Sequence, residues 1–281
     1  MTTDGDFSTV HDLLSDLSLH TVCRSAKCPN IHECWGRGTA TMMILGDVCT
    51  RACGFCAIAS GRPDALDQDE PDRVARATSH MDLKHLVLTS VARDDLPDGG
   101  ARAFADTIRA VRAARPDVSI EVLTPDFEGR EESIDLVLDA SPDVYNHNIE
   151  TVRRFQSVIR PQAAYGRSLA VLRRAARRDG GPVVKSGIML GIGESEAELV
   201  RTLEDLRAVG CELLTLGQYL RPTRHHVPVD RYVEPSEFDR YADVARDIGF
   251  TAVASGPMVR SSYRADALLH AARESRPAAA S

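Results

Sequence analysis

Six of the seven cysteines lie in one stretch, "CRSAKCPNIHECWGRGTATMMILGDVCTRACGFC", as two triplets: Cys23/Cys28/Cys34 and Cys49/Cys53/Cys56. The second triplet has the spacing C-x3-C-x2-C and follows the aliphatic run "TMMILGD". Three thiolates that close can hold three corners of a 4Fe-4S cubane, whose full cysteine ligation takes four. The iron left over is open to another molecule, and an open position marks a catalytic rather than a structural metal. Zinc is the competing reading, but zinc motifs pair two C-x2-C knuckles or add histidines. The first triplet, C-x4-C-x5-C, leaves more open. By itself it fits a second cluster or a zinc site completed by His32.

Cysteines used this way imply a reducing compartment. The opening "MTTDGDFSTVHDLLSDLSLH" is acidic, without the apolar core of a signal peptide or the arginines of a transit peptide, so the expected location is cytoplasmic. There thiols stay reduced and serve as ligands or catalytic groups rather than disulfides. A net charge of −7 with interspersed signs argues against nucleic acid as partner, and no apolar run is long enough to span a bilayer. Lone Cys211 reads as a small buried hydrophobe.

The elements that must position the triplets alternate along the chain. Aliphatic or β-branched runs fall at 41–47, 85–90, 119–124, 144–149, 183–190 and 213–220, with a last run at 251–257. Helical patterns such as "GARAFADTIRAVRAA" and "SEAELVRTLEDLRAVG" separate them, the latter capped by Ser195 and Gly210. Repeated strand–helix–strand units predict an α/β fold with a parallel sheet, either open and doubly wound or a full or partial barrel. The missing G-x-G-x-x-G after the first strand weakens the dinucleotide-binding form. Polar residues at the strand ends (Thr89, Ser90, Asn146 to Asn148, Gln218) favour a partial (β/α)6 TIM-type barrel, which builds its site there. The expected organisation is an extension over 1–40 with the first triplet, a barrel over 41–257 and a C-terminal segment over 258–281, whose tail "RPAAAS" reads as disordered.

The C-x3-C-x2-C triplet, with Phe55 before its last cysteine, resembles the signature of the radical S-adenosylmethionine (SAM) superfamily. Both triplets together, in "VCRSAKCPNIHECWGRGTATMMILGDVCTRACGFCAIASGRP", closely resemble the lipoyl synthases, radical SAM enzymes with a second 4Fe-4S cluster. The resemblance continues through "LTSVARDDLPDGGA", "YNHNIETV", "VKSGIMLGIGE", "LTLGQYLRPTRHHVPVDRYV" and "GPMVRSSYRA". Three departures stand out: Arg24 and Ser25 where the family often has acids, Ala92 where it has an acid, and a shorter segment before Cys23.

The resemblance implies SAM on the open iron of the Cys49/Cys53/Cys56 cluster, and a deoxyadenosyl radical as the hydrogen-abstracting species. It implies a serine of the "RSSY" motif, Ser261 or Ser262 with the second preferred, as fourth ligand of the Cys23/Cys28/Cys34 cluster. A serine oxygen is a hard ligand poorly matched to cluster iron, which suits a bond meant to open; the bland alternative is a helix-capping serine. Arg260 would steer that serine or the substrate. SAM contacts are expected from Thr89, Ser90, Asn148, Glu150, Lys185 and Ser186, each also readable as an ordinary strand-end polar residue. The implied substrate is an octanoyl-lysine on a lipoyl carrier domain, such as glycine cleavage H protein or a dihydrolipoyl acyltransferase subunit. Sulfur from the auxiliary cluster would enter at C6 and C8. Implied partners are a flavodoxin or ferredoxin as reductant and an iron–sulfur carrier for cluster rebuilding. Competing readings are another radical SAM sulfur-inserting enzyme, such as a methylthiotransferase or biotin synthase, and a non-catalytic metal carrier. Trp35 shields the auxiliary cluster or is a core residue. Arg153/Arg154 and Arg173/Arg174/Arg177/Arg178 dock an acidic carrier or form solvated helix faces, the reading preferred. His225 and His226 either face the active site or are plain loop residues, and a loop location with no metal partner favours the second reading.

Overall fold

The computed structural model describes residues 13–25 and 28–276; of the tail "RPAAAS" expected to be disordered, only Arg276 lies within them, paired with Glu212 at 2.6 Å. The chain forms two compact units, the first from residues up to Arg51 with Ile58–Pro142, the second from Ala52–Ala57 with Asp143 onwards.

In the first unit the strands are β1 (His20–Thr21), β2 (Thr39–Ile44), β3 (Val48–Cys49), β4 (Ala59–Ser60), β5 (His85–Ser90) and β6 (Ser119–Leu123). β2, β5 and β6 are parallel neighbours, with Thr39 opposite His85 and His85 opposite Ser119. β1 adds antiparallel to β2, and β3 pairs only with β4. β2, "TATMMI", is buried at every residue, as a parallel strand covered on both faces must be. The helix Ala101–Ala114 buries Ala101, Phe104, Ala105, Ile108 and Val111, one stripe at helical spacing. β2 ends in two left-handed residues, Leu45 (φ 70°) and Gly46 (φ 86°), which turn the chain into β3. The buried Glu70 carboxylate holds this turn by accepting the Leu45 N–H at 2.8 Å.

In the second unit β7 (Val144–Asn146), β8 (Val183–Leu190), β9 (Leu213–Gln218) and β10 (Ala252–Gly256) are parallel neighbours in that order. Helices Tyr165–Ala176, Glu196–Ala208, Pro235–Ile248 and Ala265–Ser275 follow the four strands in turn. Ser195 caps Glu196–Ala208 in a full capping box with Glu198, and left-handed Gly210 (φ 96°) lies just beyond its end, as expected. Leu268, Leu269 and Ala272 pack on Val144, Val183 and Leu213, so the last helix covers the starts of β7, β8 and β9. The strand order in both units is linear, with no strand returning to close a cylinder. The class is the one expected, α/β with a mostly parallel, unclosed sheet of partial-barrel type, and β10 comes from the last sequence run.

Candidate functional site

The first unit supplies Cys49 at the end of β3. Its sulfur accepts the N–H groups of Arg51 (3.4 Å) and Ala92 (3.3 Å). These two N–H groups orient the sulfur at the end of β3. Thr50 donates its N–H and its hydroxyl to the Ala92 carbonyl at 3.1 and 3.0 Å. Ala92 therefore acts through its backbone, and the loss of an acidic side chain there leaves the clamp on Cys49 complete. Arg51 is buried and forked onto Asp94 with two bonds of 2.8 Å, and its Nη2 reaches Asp126 at 2.7 Å. Burial opposes the charge, but Asp94 and Asp126 outweigh it and hold the guanidinium above its ordinary pKa.

The first triplet sits on consecutive turns. Cys28 donates its N–H to the Cys23 carbonyl (3.0 Å) and Cys34 to Asn30 (2.9 Å), with Ile31 bonded back to Cys28 (3.3 Å). The helix Ile31–Gly36 carries Cys34 and a half-buried Trp35, and His32 is exposed. At the end of β5, Thr89 is spent on the Leu123 carbonyl (3.0 Å), whereas the Ser90 hydroxyl is sequestered with no hydrogen-bond partner among the described residues.

The second unit supplies Cys53 and Cys56, Asn148 and Glu150 beyond the end of β7, and the C-terminal serines. Asn148 donates from Nδ2 to Glu150 Oε1 (3.1 Å), and its buried Oδ1 has no partner among the described residues. Glu150 sits at φ 65°, which costs a non-glycine residue about 1 kcal/mol. Its backbone is over-determined by bonds to β8, from its N–H to Gly187 (3.0 Å) and from Met189 to its carbonyl (2.9 Å). Burial raises the Glu150 carboxyl above its usual value, opposed by Arg160 and Asn148. Arg160, itself buried, holds the turn beneath by donating to the Asn148 carbonyl (3.1 Å) and Ser168 Oγ (3.2 Å). Gly187 is required, because a Cβ there would stand 2.8 Å from Asn148 Oδ1 and 2.6 Å from Thr215 Oγ1.

The other expected contacts divide. Ser186 is spent on this turn, donating to the His147 carbonyl (2.9 Å) and accepting the Ile149 N–H (3.1 Å). Lys185 is fully buried near the start of β8, close enough to Cys211 to oppose the rise that burial gives its thiol pKa. Cys211 is buried as expected, and Gln218 braces the Arg231–Val233 backbone. Ser261 and Ser262 lie half-buried in the turn before Ala265–Ser275. That helix takes left-handed Arg264 as N-cap, with no side-chain cap bond, so neither serine has the capping role. Arg260 Nη1 bonds the Val259 carbonyl at 2.7 Å. Arg153 and Arg154 pair with Asp205 and Glu198 and lie over the rings of Tyr165 and Phe155, which consumes them within the unit.

Arg51 with Asp94 and Asp126, and Arg160 with Ser168, were not legible as site residues, and His226 was set aside in favour of a loop role. Only the position of Arg51 between two ligands hinted at a role. His226, read as a plain loop residue, bonds the Cys56 carbonyl at 2.9 Å.

The donor set fits iron–sulfur chemistry. None of the second triplet is buried away from a cofactor. Among the described residues no three His, Cys, Asp or Glu side chains are gathered as for a single ion. A cubane spreads its thiolates over separate irons. The Ser90 oxygen in the first unit and the Asn148 oxygen in the second, each without a partner among the described residues, are each suited to a polar ligand.

The family model of the radical SAM superfamily matches residues 43–206. The lipoyl synthase of Rubrobacter xylanophilus is 57% identical over 92% of this chain and 81% of its own length. That of Chlorobaculum tepidum is 55% identical over 94% of this chain and 91% of its own. Among solved structures, methylornithine synthase superposes with a TM-score of 0.55 at 13% identity, covering 89% of this chain and 81% of that one. The FeFe-hydrogenase maturase HydG gives 0.61 at 17% identity over 79% and 53%. Identities this low speak to fold alone.

Proposed function

Because the chain belongs to the lipoyl synthase family of radical SAM enzymes, we propose that it inserts two sulfur atoms, at C6 and C8, into an octanoyl-lysine on a lipoyl carrier domain. When bound, the SAM-binding cluster and SAM supply the hydrogen-abstracting radical and the auxiliary 4Fe-4S cluster supplies the sulfur. Cys49, Cys53 and Cys56 would hold the first, and Cys23, Cys28, Cys34 and Ser262 the second, with Ser261 as the alternative. What carries the reading is the two complete triplets in a chain so similar to lipoyl synthases over 92% of its length.

The chain's own residues position and exclude rather than move protons, since unactivated C–H bonds offer no acid–base handle. Ser90 accepts from the methionyl amine of SAM, with Thr89 shaping the end of β5. Asn148 and Glu150 take the ribose hydroxyls, an amide beside a carboxylate being suited to a diol. Ser186 and Lys185 support that turn from β8. Arg260 orients the serine turn. The segments 1–40 and 258–281 serve as ligand-bearing arms to the barrel portion 41–257.

The carrier is a glycine cleavage H protein or a dihydrolipoyl acyltransferase subunit, the reductant a flavodoxin or ferredoxin, and an iron–sulfur carrier rebuilds the auxiliary cluster. No helix among the described residues is long and apolar enough to cross a membrane, which supports a cytoplasmic location. The test is mass spectrometry of an octanoylated carrier after anaerobic incubation of the reconstituted enzyme with reductant and SAM. Gain of two sulfurs with loss of two carbon-bound hydrogens is expected. Deoxyadenosine without sulfur gain would overturn the substrate.

A further inference from the structure

The segment Tyr219–Val227 holds the loop that carries Cys53 and Cys56, and its contacts converge on one histidine. Val227 donates its N–H to the Gly54 carbonyl (2.9 Å), and Gly54 donates to Ile159 (2.8 Å). Tyr219 is buried and its hydroxyl donates to the Val227 carbonyl at 2.7 Å. Phe55 packs on the cluster of Ile159, Ile192 and Tyr219. Gly54 has no room to move, since a Cβ there would stand 2.9 Å from Val227 Cγ2 and 3.1 Å from the Val158 carbonyl. At Cys56 the hold is a side chain: His226 Nε2 lies 2.9 Å from the Cys56 carbonyl oxygen.

A carbonyl only accepts, so Nε2 donates to Cys56. Nδ1 lies 2.9 Å from Thr223 Oγ1, and that hydroxyl accepts the His225 N–H at 3.3 Å. Arg221 braces the loop from outside by donating to the His226 carbonyl at 2.9 Å. The bonds link His225 N–H, Thr223 and the imidazole to Cys56. Orienting the Cys56 carbonyl orients its peptide plane and so the Cα–Cβ direction of the thiol.

We infer that His226 is a positioning residue of the radical-generating site, which fixes the Cys56 end of the cluster loop before any metal arrives. The inference rests on the assignment of Cys53 and Cys56 as cluster ligands. A ligand loop already set in place needs no reordering when iron binds, and the last iron–thiolate bond forms without strain.

Hydrogen exchange on the full-length, metal-free chain reads this directly. In His226→Ala, amides of residues 53–57 should exchange about tenfold faster than in the parent, the scale of one lost hydrogen bond. Exchange in β8 and β9 should be unchanged. His226→Gln, whose amide nitrogen reaches as far as Nε2, should restore most of the protection. After reconstitution, the alanine variant should lose iron to a chelator faster, and the electron paramagnetic resonance signal of its reduced SAM-binding cluster should broaden, with the glutamine variant close to the parent. Parental exchange in His226→Ala, or a glutamine variant as impaired as alanine with β8 and β9 intact, overturns the inference. Because the exchange measurement needs no turnover, it separates this outcome from a failure of the proposed reaction, which product analysis of the parent enzyme reports.

Discussion

Single side chains around the candidate site differ in what their lone pairs and protons have left to do. Ser262 caps no helix, so its proposed role as a labile iron ligand can be tested without disturbing a cap. In Ser262→Cys the stronger thiolate bond should keep the auxiliary cluster loaded while sulfur transfer falls at least tenfold and deoxyadenosine release continues; normal lipoyl yield would refute lability. Glu150 allows a pH test. Burial raises its folded pKa, so its charged, accepting form is lost earlier on acidification than an ordinary carboxylate would be. SAM affinity, measured by equilibrium dialysis, should weaken as pH falls through that raised value, and Glu150→Gln should flatten the profile. The cysteines became candidates through their spacing, and Ser90, Asn148 and Glu150 through strand-end position together with the family resemblance; their roles are those proposed above. The contacts of Arg51, Arg160 and His226 could not be read, because their partners Asp94 and Asp126, Ser168, and Cys56 are distant in sequence.

At the scale of elements, local signals worked where the physics is local. The Ser195–Glu198 capping box and the left-handed Gly210 follow from hydrogen bonds within one turn, and the aliphatic runs became strands within a few residues. The sharp reversal at Leu45–Gly46 was hidden, because a leucine at positive φ is stable only with the distant Glu70 carboxylate on its N–H. The capping box gives a prediction with a definite sign. Arg154, and then the Ser195 N–H, hold the Glu198 carboxyl at about 2. Its stabilisation is present above the ordinary carboxylate value and is lost as pH falls from there towards about 2. Thermal unfolding should show that decline in the parent and less of it in Glu198→Gln, with a small amplitude that salt reduces further, because its partner Arg154 is exposed.

For the whole molecule, the composition gives a net charge of −7 and an aliphatic core; cofactor loading is what changes its energetics. Ligands that bind only the folded chain raise its stability by mass action. The reconstituted protein should therefore unfold several degrees higher than the metal-free chain in anaerobic calorimetry, and part of that gain should vanish after one turnover, when the auxiliary cluster has been spent. Equal midpoints before and after turnover would count against sulfur donation by a resident cluster. One feature of β9 reaches as far. A Cβ at Gly217 would stand 2.2 Å from the Val259 carbonyl, so the chain leading to Arg260 and the serine turn can lie against the strand only because a methyl group is missing there. The placement of a proposed iron ligand is thus recorded in the genome as an absent carbon, at a codon that specifies no ligand at all. A lineage that lost that glycine would inherit a sulfur-donor defect with every ligand residue still spelled out.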